Sequence, residues 1–377
     1  MSQFLIASNT SAVFVKTQAA VGSFDNPTYD SDEEENTGVN AIRTVGAPKF
    51  AVRGAGIIQR TDTMTPFGGG QAAVTGGLGW DITFQTEFFW DFSQISDITI
   101  PRALSQLSAL WLASPWNLSV DILPDPPEDP PDPVSSNLVF GVQPFFFADT
   151  FRGSDGDEPP IVNPDYTAQP FSIVYEESQG KRFESFDCIC IPKISWEFGQ
   201  RVMIDWTVKG KWRPVIDSLS IVPEYIASGN QPPLIGQSST LEMDTLLNNA
   251  NALSKVSFET GWALSDVSDA RQTYGFGLGF VALTGYPTVD IEVAEYNTTL
   301  QPDWTQAQNN QISAAFQVSI GIGENTIWFN LANPQLIAFP SPTDTNGYRA
   351  AGLKFGGIPT ADTPIVATMA ISYQYPD

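Results

Sequence analysis

Apolar and polar residues alternate with a period of two in several segments of the chain. In one of them the apolar members are Val202, Ile204, Trp206 and Val208. Because successive side chains of a strand point to opposite faces, this alternation predicts a strand with one buried face and one wet face. An extended run before it contains Cys188 and Cys190, and Phe198-Gly-Gln-Arg201 between the two runs predicts a hairpin turn.

The most regular alternation runs from Leu78 to Trp90. Its apolar side chains fall on one face, and Asp81, Thr83, Gln85 and Glu87 fall on the other. Helical spacing occurs between Pro101 and Leu112, where it joins Leu104, Leu107 and Trp111. This spacing predicts a short amphipathic helix whose aromatic stripe packs on a sheet.

The plan of an extended run, a turn and an aromatic strand recurs over residues 312–331, and a polar segment at 302–308 takes the helix's place in the second half. With 29 prolines, 30 glycines and 12% aromatic residues, the chain is predicted to be mainly β. We expect two tandem β-sandwich or half-barrel domains, each with a short helix. The predicted parts are an N-terminal arm with an acidic loop (1–44), a first domain with a Pro-rich acidic insertion (45–215) and a second domain (216–377).

A long glycine-rich loop is predicted over Arg60–Gly77. It lacks the Gly-Lys-Ser/Thr sequence of a phosphate loop, and loops of this length are usually functional or disordered. We interpret it as a partner-binding loop that becomes ordered on assembly, and a floppy hairpin tip is the alternative. Two acidic loops, Leu123–Pro133 and Gly153–Pro160, are predicted to be exposed, and the second has only a weak resemblance to a calcium loop.

Charge and composition exclude several functions. The chain has a net charge of −24, two cysteines and no histidine. The absence of histidine rules out catalytic systems that use this residue and most zinc sites, and so acidic a surface disfavours tight binding to nucleic acid. Acidic walls would still let DNA slide past. The two cysteines are badly placed for a mutual disulfide, and no apolar stretch reaches the roughly 20 residues of a membrane span.

The order of these features resembles the tail tube (major tail) proteins of long-tailed bacteriophages, in the form with two tube domains in one chain. In the first half the resemblance is carried by Ile204-Asp-Trp-Thr-Val-Lys-Gly210 and Lys211-Trp-Arg-Pro-Val215. In the second half it is carried by Phe316–Ile327, Asn333-Pro334, Asp344–Gly347, Leu353-Lys-Phe355 and a final strand near Thr368–Ser372.

The resemblance implies rings of three chains, stacked into a tube around a DNA channel. It implies that the loop contacts an adjacent ring, with Met64, Pro66, Phe67, Gln71 and Val74 as contact residues. The partners it implies are further copies of the chain, a tape measure protein, a tail terminator and distal tail or baseplate proteins. The implied location is the virion tail, assembled in the host bacterial cytoplasm. A closed ring of sheets that each have one core face and one polar face would line its channel with polar residues. The acids predicted to line this channel are Asp81, Glu87, Asp290 and Glu292.

Two other classes of function are considered. A β-sandwich glycosidase would need only two carboxylates, but no pair stands out among the 42 acidic residues. A carbohydrate-binding or adhesin module would stack sugars on exposed aromatic residues such as Trp111, Trp116 or Trp304. We expect no enzymatic activity, no cofactor and no metal site.

Overall fold

The computed structural model is mainly β, and its described residues form two large antiparallel sheets, three small two-stranded sheets and one short helix. It describes residues 11–30, 35–54, 57–58, 74–75, 77–88, 107–114, 116–121, 135–142, 169–177, 180–225, 240–242, 253–265, 280–283, 285–293, 316–322, 325–331, 333–345, 348–358 and 367–374. No helix within these ranges is long and apolar enough to cross a membrane.

The elements of the first half of the chain are β1 (Ala12–Thr17), β2 (Tyr29–Asp30), β3 (Glu35–Asn36), β4 (Ala41–Ile42), β5 (Lys49–Arg53), β6 (Ile57–Ile58), β7 (Val74–Thr75), β8 (Gly79–Glu87), α1 (Ser108–Leu112), β9 (Trp116–Asp121), β10 (Ser135–Val142), β11 (Phe171–Glu176), β12 (Lys181–Glu197) and β13 (Met203–Trp212). Those that follow are β14 (Ile216–Asp217), β15 (Thr240–Glu242), β16 (Leu253–Glu259), β17 (Trp262–Ser265), β18 (Phe280–Leu283), β19 (Thr288–Val293), β20 (Phe316–Ile322), β21 (Asn325–Leu331), β22 (Pro334–Thr345), β23 (Tyr348–Gly357) and β24 (Ala367–Gln374).

The larger sheet branches at β12, which is 17 residues long. Along one edge of β12, its first part pairs with β11 and its last part pairs with β16. Along the other edge it pairs with β13 and β14. One continuous path through this sheet therefore runs β5-β8-β13-β12-β16-β19-β23-β22, and each neighbouring pair in it is antiparallel.

The second sheet has the order β15-β20-β21-β24-β10-β9 and packs against the larger one. Phe329 of β21 contacts Trp196 and Phe258 of the larger sheet, with ring centroids 5.4 and 5.5 Å apart. The helix α1 also lies on the larger sheet, where Trp111 meets Trp206 edge-on at 5.0 Å. Burial of aromatic surface between these layers stabilises the fold.

The predicted hairpin and its alternation are confirmed. β12 ends at Glu197 and β13 begins at Met203, and Gly199 in the turn has the positive φ of 72° that glycine adopts readily. Ile204, Trp206 and Val208 are buried. A register shift after Phe186 leaves Asp187 at a φ of 49°, an irregularity that alternation alone does not predict.

The alternation predicted for β8 is also confirmed in its described residues. Trp80, Ile82 and Phe84 are buried, whereas Thr83 and Gln85 are exposed. Thr86 is the polar exception on the buried face. Its hydroxyl accepts a hydrogen bond from the Trp206 indole at 2.9 Å, so neither buried polar group lacks a partner.

The predicted helix is present as α1, which is described from Ser108 to Leu112. Its predicted start at Pro101 and the polar segment 302–308 lie outside the described residues. Trp111 is only 3% exposed, which confirms that the aromatic stripe belongs to the core.

Both large sheets combine strands from the two predicted domains. β12 pairs with β16 across the predicted boundary at residues 215/216, and β10 pairs with β24 near the end of the chain. Within the predicted N-terminal arm, β1 and β4 are buried strands of the larger sheet. The division into two tandem domains stays a prediction, and any such division has to accommodate this shared pairing.

The suspected internal repeat takes a different form from the one predicted. The hairpin β20–β21, which the sequence pattern matched to β12–β13, lies in the second sheet. The place beside β19 in the larger sheet is taken by the hairpin β22–β23 instead. Alternation alone could not distinguish these two hairpins, because it does not say which sheet a strand joins.

Candidate functional site

The wet surface of the larger sheet is the main candidate site, and we call it the polar face. It can be followed across five strands through residues that lie directly opposite one another: Gln85, Asp205, Lys193, Glu259 and Thr288. Residues in direct register share a face of a sheet, so this row marks one continuous surface. Every second residue along each strand belongs to the same surface.

All four acids predicted to line a channel lie on the polar face. Asp81 and Glu87 are an even number of positions from Gln85 in β8, so they point to the same side of the sheet. Asp290 and Glu292 are spaced in the same way from Thr288 in β19. The structure thus places on one face two pairs of acids that are far apart in the sequence, with three strands between them, and their position in a channel stays a prediction.

Each of these acids has a polar partner. Asp81 pairs with Arg53 at 3.1 Å, and Glu87 pairs with Arg201. Asp290 pairs with Lys354 at 3.3 Å, and Glu292 accepts a hydrogen bond from the Ser254 hydroxyl at 3.0 Å. The carboxylates of Asp81 and Asp290 are 47% and 39% exposed, so these contacts lie at the wet surface.

Two further ion pairs cross the junction between β12 and β16. Lys193 of β12 pairs with Glu259 of β16, and Lys255 of β16 pairs with Glu197 of β12. Each of the two strands therefore supplies the cation of one pair and the acid of the other. A hydrogen bond to Glu197 raises the pKa of Lys255, partly offset by desolvation, and the charges of Glu197 and Glu292 raise it further.

The polar face is balanced in charge, unlike the chain as a whole. Its described acids are Asp81, Glu87, Glu197, Asp205, Glu259, Asp290 and Glu292. The described cations that lie on this face or reach it are Lys49, Arg53, Lys193, Arg201, Lys209, Lys255 and Lys354. Seven of the chain's 18 cations thus meet seven acids here, while the whole chain carries −24.

The predicted contact loop, Arg60–Gly77, follows β6 in the sequence and contains β7. β6 pairs with β7, so Val74 lies opposite Ile58 in a short strand within the stretch predicted to be loop, and its role as a contact residue stays a prediction. Met64, Pro66, Phe67 and Gln71 lie outside the described residues. A second hairpin, β17–β18, lies between β16 and β19 in the sequence, as β6–β7 lies between β5 and β8.

The aromatic residues proposed for sugar stacking do not form a described exposed platform. Trp111 is buried against Trp206, which overturns its proposed role as a sugar-stacking residue. Trp116 begins β9, but its side chain lies outside the described part of the structure, as does Trp304.

The two cysteines are free and fully buried. Desolvation raises the pKa of Cys188 to about 12, and it raises the pKa of Cys190 well above its ordinary value. Both thiols are therefore neutral near pH 7 and are poor nucleophiles. Within the described ranges, no group of three or more His, Cys, Asp or Glu residues could hold a metal ion.

A buried charged cluster was not predicted from the sequence. Arg182 is 1% exposed and bonds to Glu184 at 2.7 Å, to Asn26 at 2.9 Å and to Thr28 at 3.1 Å. The cluster holds residues of the N-terminal segment against β12. The available signal was the pair of opposite charges at Arg182 and Glu184, which a strand places on the same face.

No family model matches the chain, and no curated protein matches it significantly.

Proposed function

We infer that this chain is a structural subunit of a phage tail tube, without enzymatic activity. The observation that carries the proposal is the eight-stranded path β5-β8-β13-β12-β16-β19-β23-β22, which has a core on one face and a wet, charge-balanced surface on the other. Rings of this chain would stack into a tube in the virion tail. The polar face would then line the channel through which DNA passes.

The order of the strands along this path supports a repeated unit. The first half contributes β5, β8, β12 and β13, whose order in space is first, second, fourth, third. The second half contributes β16, β19, β22 and β23 in the same spatial order. In each half, a small hairpin also stands between the first and second strands.

The way the two halves pair within one chain suggests how neighbouring copies would pair in a ring. Within the chain, the third strand of the first half (β12) pairs antiparallel with the first strand of the second half (β16). The same joint would pair β22 of one copy with β5 of the next. Such a head-to-tail contact closes into a ring when the rotation allows it.

Both outer edges of the path leave apolar side chains uncovered. Val52 of β5 lies opposite the buried Trp80, in the row that faces the core, yet it is 58% exposed. Ile337 of β22 is 44% exposed. Sheet edges with exposed apolar residues tend to pair with another chain, and here a second copy would cover them.

The dimensions of such a ring would suit DNA. Three chains with eight strands each would supply 24 strands to a closed barrel. Strands about 4.8 Å apart and tilted by about 40° would form a barrel roughly 40–50 Å across its backbone. That width accommodates the inward side chains and leaves a water-filled channel for a DNA duplex.

The test is assembly of the purified chain, observed by negative-stain electron microscopy at low and moderate salt. We expect rings or hollow tubes, favoured by salt because screening weakens repulsion between acidic subunits. In Val52→Asp, a charge at the open edge should abolish assembly while the circular dichroism spectrum stays unchanged. Val21→Asp changes another exposed valine outside the strands and is the control.

A wild-type chain that stays monomeric at every salt and protein concentration would contradict the proposal. Equal assembly by wild type and Val52→Asp would contradict the proposed edge joint.

A further inference from the structure

We propose that the acids of the polar face neutralise the lysines and arginines beside them, so that duplex DNA meets this surface without binding to it. The inference rests on the proposed function, in which DNA passes along the polar face. It assigns to Glu197, Glu259 and Asp290 a role in keeping that surface from retaining DNA.

The first observation is the number of cations on the polar face. Seven of the chain's 18 lysines and arginines lie on it or reach it. Affinity for DNA grows with the number of phosphates that lysine and arginine neutralise, because each contact releases condensed counterions. Without the neighbouring acids, this face would have the composition of a DNA-binding surface.

The second observation is the geometry of the pairing. Lys193, Lys255 and Lys354 each contact a carboxylate on a neighbouring strand, namely Glu259, Glu197 and Asp290. A phosphate that approaches one of these cations also approaches the carboxylate that is in direct contact with that cation. The two opposite charges largely cancel at the distance of the phosphate, so little attraction remains.

Stability alone accounts poorly for these pairs. The side chains of the three pairs are between 38% and 56% exposed. Exposed ion pairs typically contribute little to stability, because water and salt screen them and the side chains lose conformational freedom. Replacing the acids by their amides should therefore leave the fold intact, which makes their effect on DNA measurable.

The experiment compares the full-length chain with a triple variant, Glu197→Gln, Glu259→Gln and Asp290→Asn. Binding to a fluorescent linear DNA duplex is measured by anisotropy, at protein concentrations where the chain is unassembled. We expect no binding by wild type and clear binding by the triple variant at low salt. Three freed cations predict a loss of affinity of roughly 40-fold between about 50 and 200 mM salt.

A second triple variant separates this effect from a change in net charge. Asp25→Asn, Glu35→Gln and Glu224→Gln alter the charge by the same amount at positions away from the polar face. We expect this control variant to bind DNA as weakly as wild type. Circular dichroism and thermal unfolding of all three proteins check that each is folded.

The outcomes distinguish this inference from the proposed function when the same samples are also viewed by electron microscopy. Equal DNA binding by the two triple variants, or strong binding by wild type, would overturn the inference even if tubes form. A gain of binding in the polar-face variant alone supports it. If that gain occurs but wild type never forms rings or tubes, the charge pairing stands and the tail-tube function fails.

Discussion

Asp187 combines an unusual backbone conformation with a buried charge. Its φ is 49°, its side chain is fully buried, and it forms an ion pair with Lys211 at 2.6 Å. The carboxylate also accepts hydrogen bonds from the Gln18 side chain at 3.0 Å and the Gly22 backbone at 2.8 Å. Asp187 therefore connects the N-terminal segment to the irregular part of β12.

We expect Asp187→Asn to destabilise the chain by about 3–5 kcal/mol, because the buried Lys211 would lose its carboxylate partner. Asparagine tolerates the left-handed conformation, so the change mainly tests the charge. Denaturant unfolding measures the loss. Asp217→Asn removes the acid of an exposed pair and should produce no measurable change.

The double variant Asp187→Asn/Lys211→Met tests the reason for that loss. Removing both charges should recover part of the stability lost in Asp187→Asn. Equal stability of Asp187→Asn and wild type would show that the buried pair contributes little.

Among the elements, the β12–β13 hairpin depends on a close contact at Gly210. A Cβ atom at this position would overlap the Ser185 hydroxyl and the Cys188 sulfur, both of which are buried in β12. The glycine of the Trp-Thr-Val-Lys-Gly segment is thus required for packing at the register shift between Phe186 and Ile189.

We expect Gly210→Ala to lower stability by about 1–3 kcal/mol, because the overlap forces displacement of buried atoms. The midpoint of urea unfolding measures the change. Gly285→Ala is the matched control, since nothing lies within 4 Å of an added Cβ there. An unchanged midpoint for Gly210→Ala would mean that the hairpin adjusts without cost.

Elements were predictable where alternation was regular, and less so where proline interrupted it. Trp80, Ile82 and Phe84 revealed β8, and the described strand matches the prediction. β22 was not predicted from the sequence, and it contains three prolines, which cannot donate to a ladder. The structure places β22 at the edge of the path, where proline is tolerated.

At the scale of the whole molecule, the two halves share both sheets. β12 pairs with β16 and β10 pairs with β24, so each half would expose strand edges and apolar surface if the other were removed. Residues Trp196 and Phe329, one from each half, also pack together in the core. These contacts predict that neither half is stable alone.

Separate expression of residues 1–225 and 226–377 tests this prediction. We expect each piece to be insoluble or unfolded alone, and we expect co-expressed pieces to purify together as one folded complex. Solubility, co-purification and circular dichroism are the measurements. Two pieces that each unfold cooperatively on their own would instead support the two tandem domains predicted from the sequence.

The sequence by itself determined the mainly-β class and the faces of its clearest strands. This information is local, because a period of two needs only neighbouring residues to specify which side chains turn inward. The same alternation placed Asp81, Glu87, Asp290 and Glu292 on wet faces. Helical spacing, which is equally local, assigned Trp111 to a buried stripe.

Only the tertiary structure decided how the strands pair and what each polar residue meets. Lys193 and Glu259 are 66 positions apart, and Lys354 and Asp290 are 64 apart. No local pattern encodes such contacts, because they depend on which strands become neighbours. The charge balance of the polar face, the buried Arg182 cluster and the joining of both halves in one sheet all follow from that pairing.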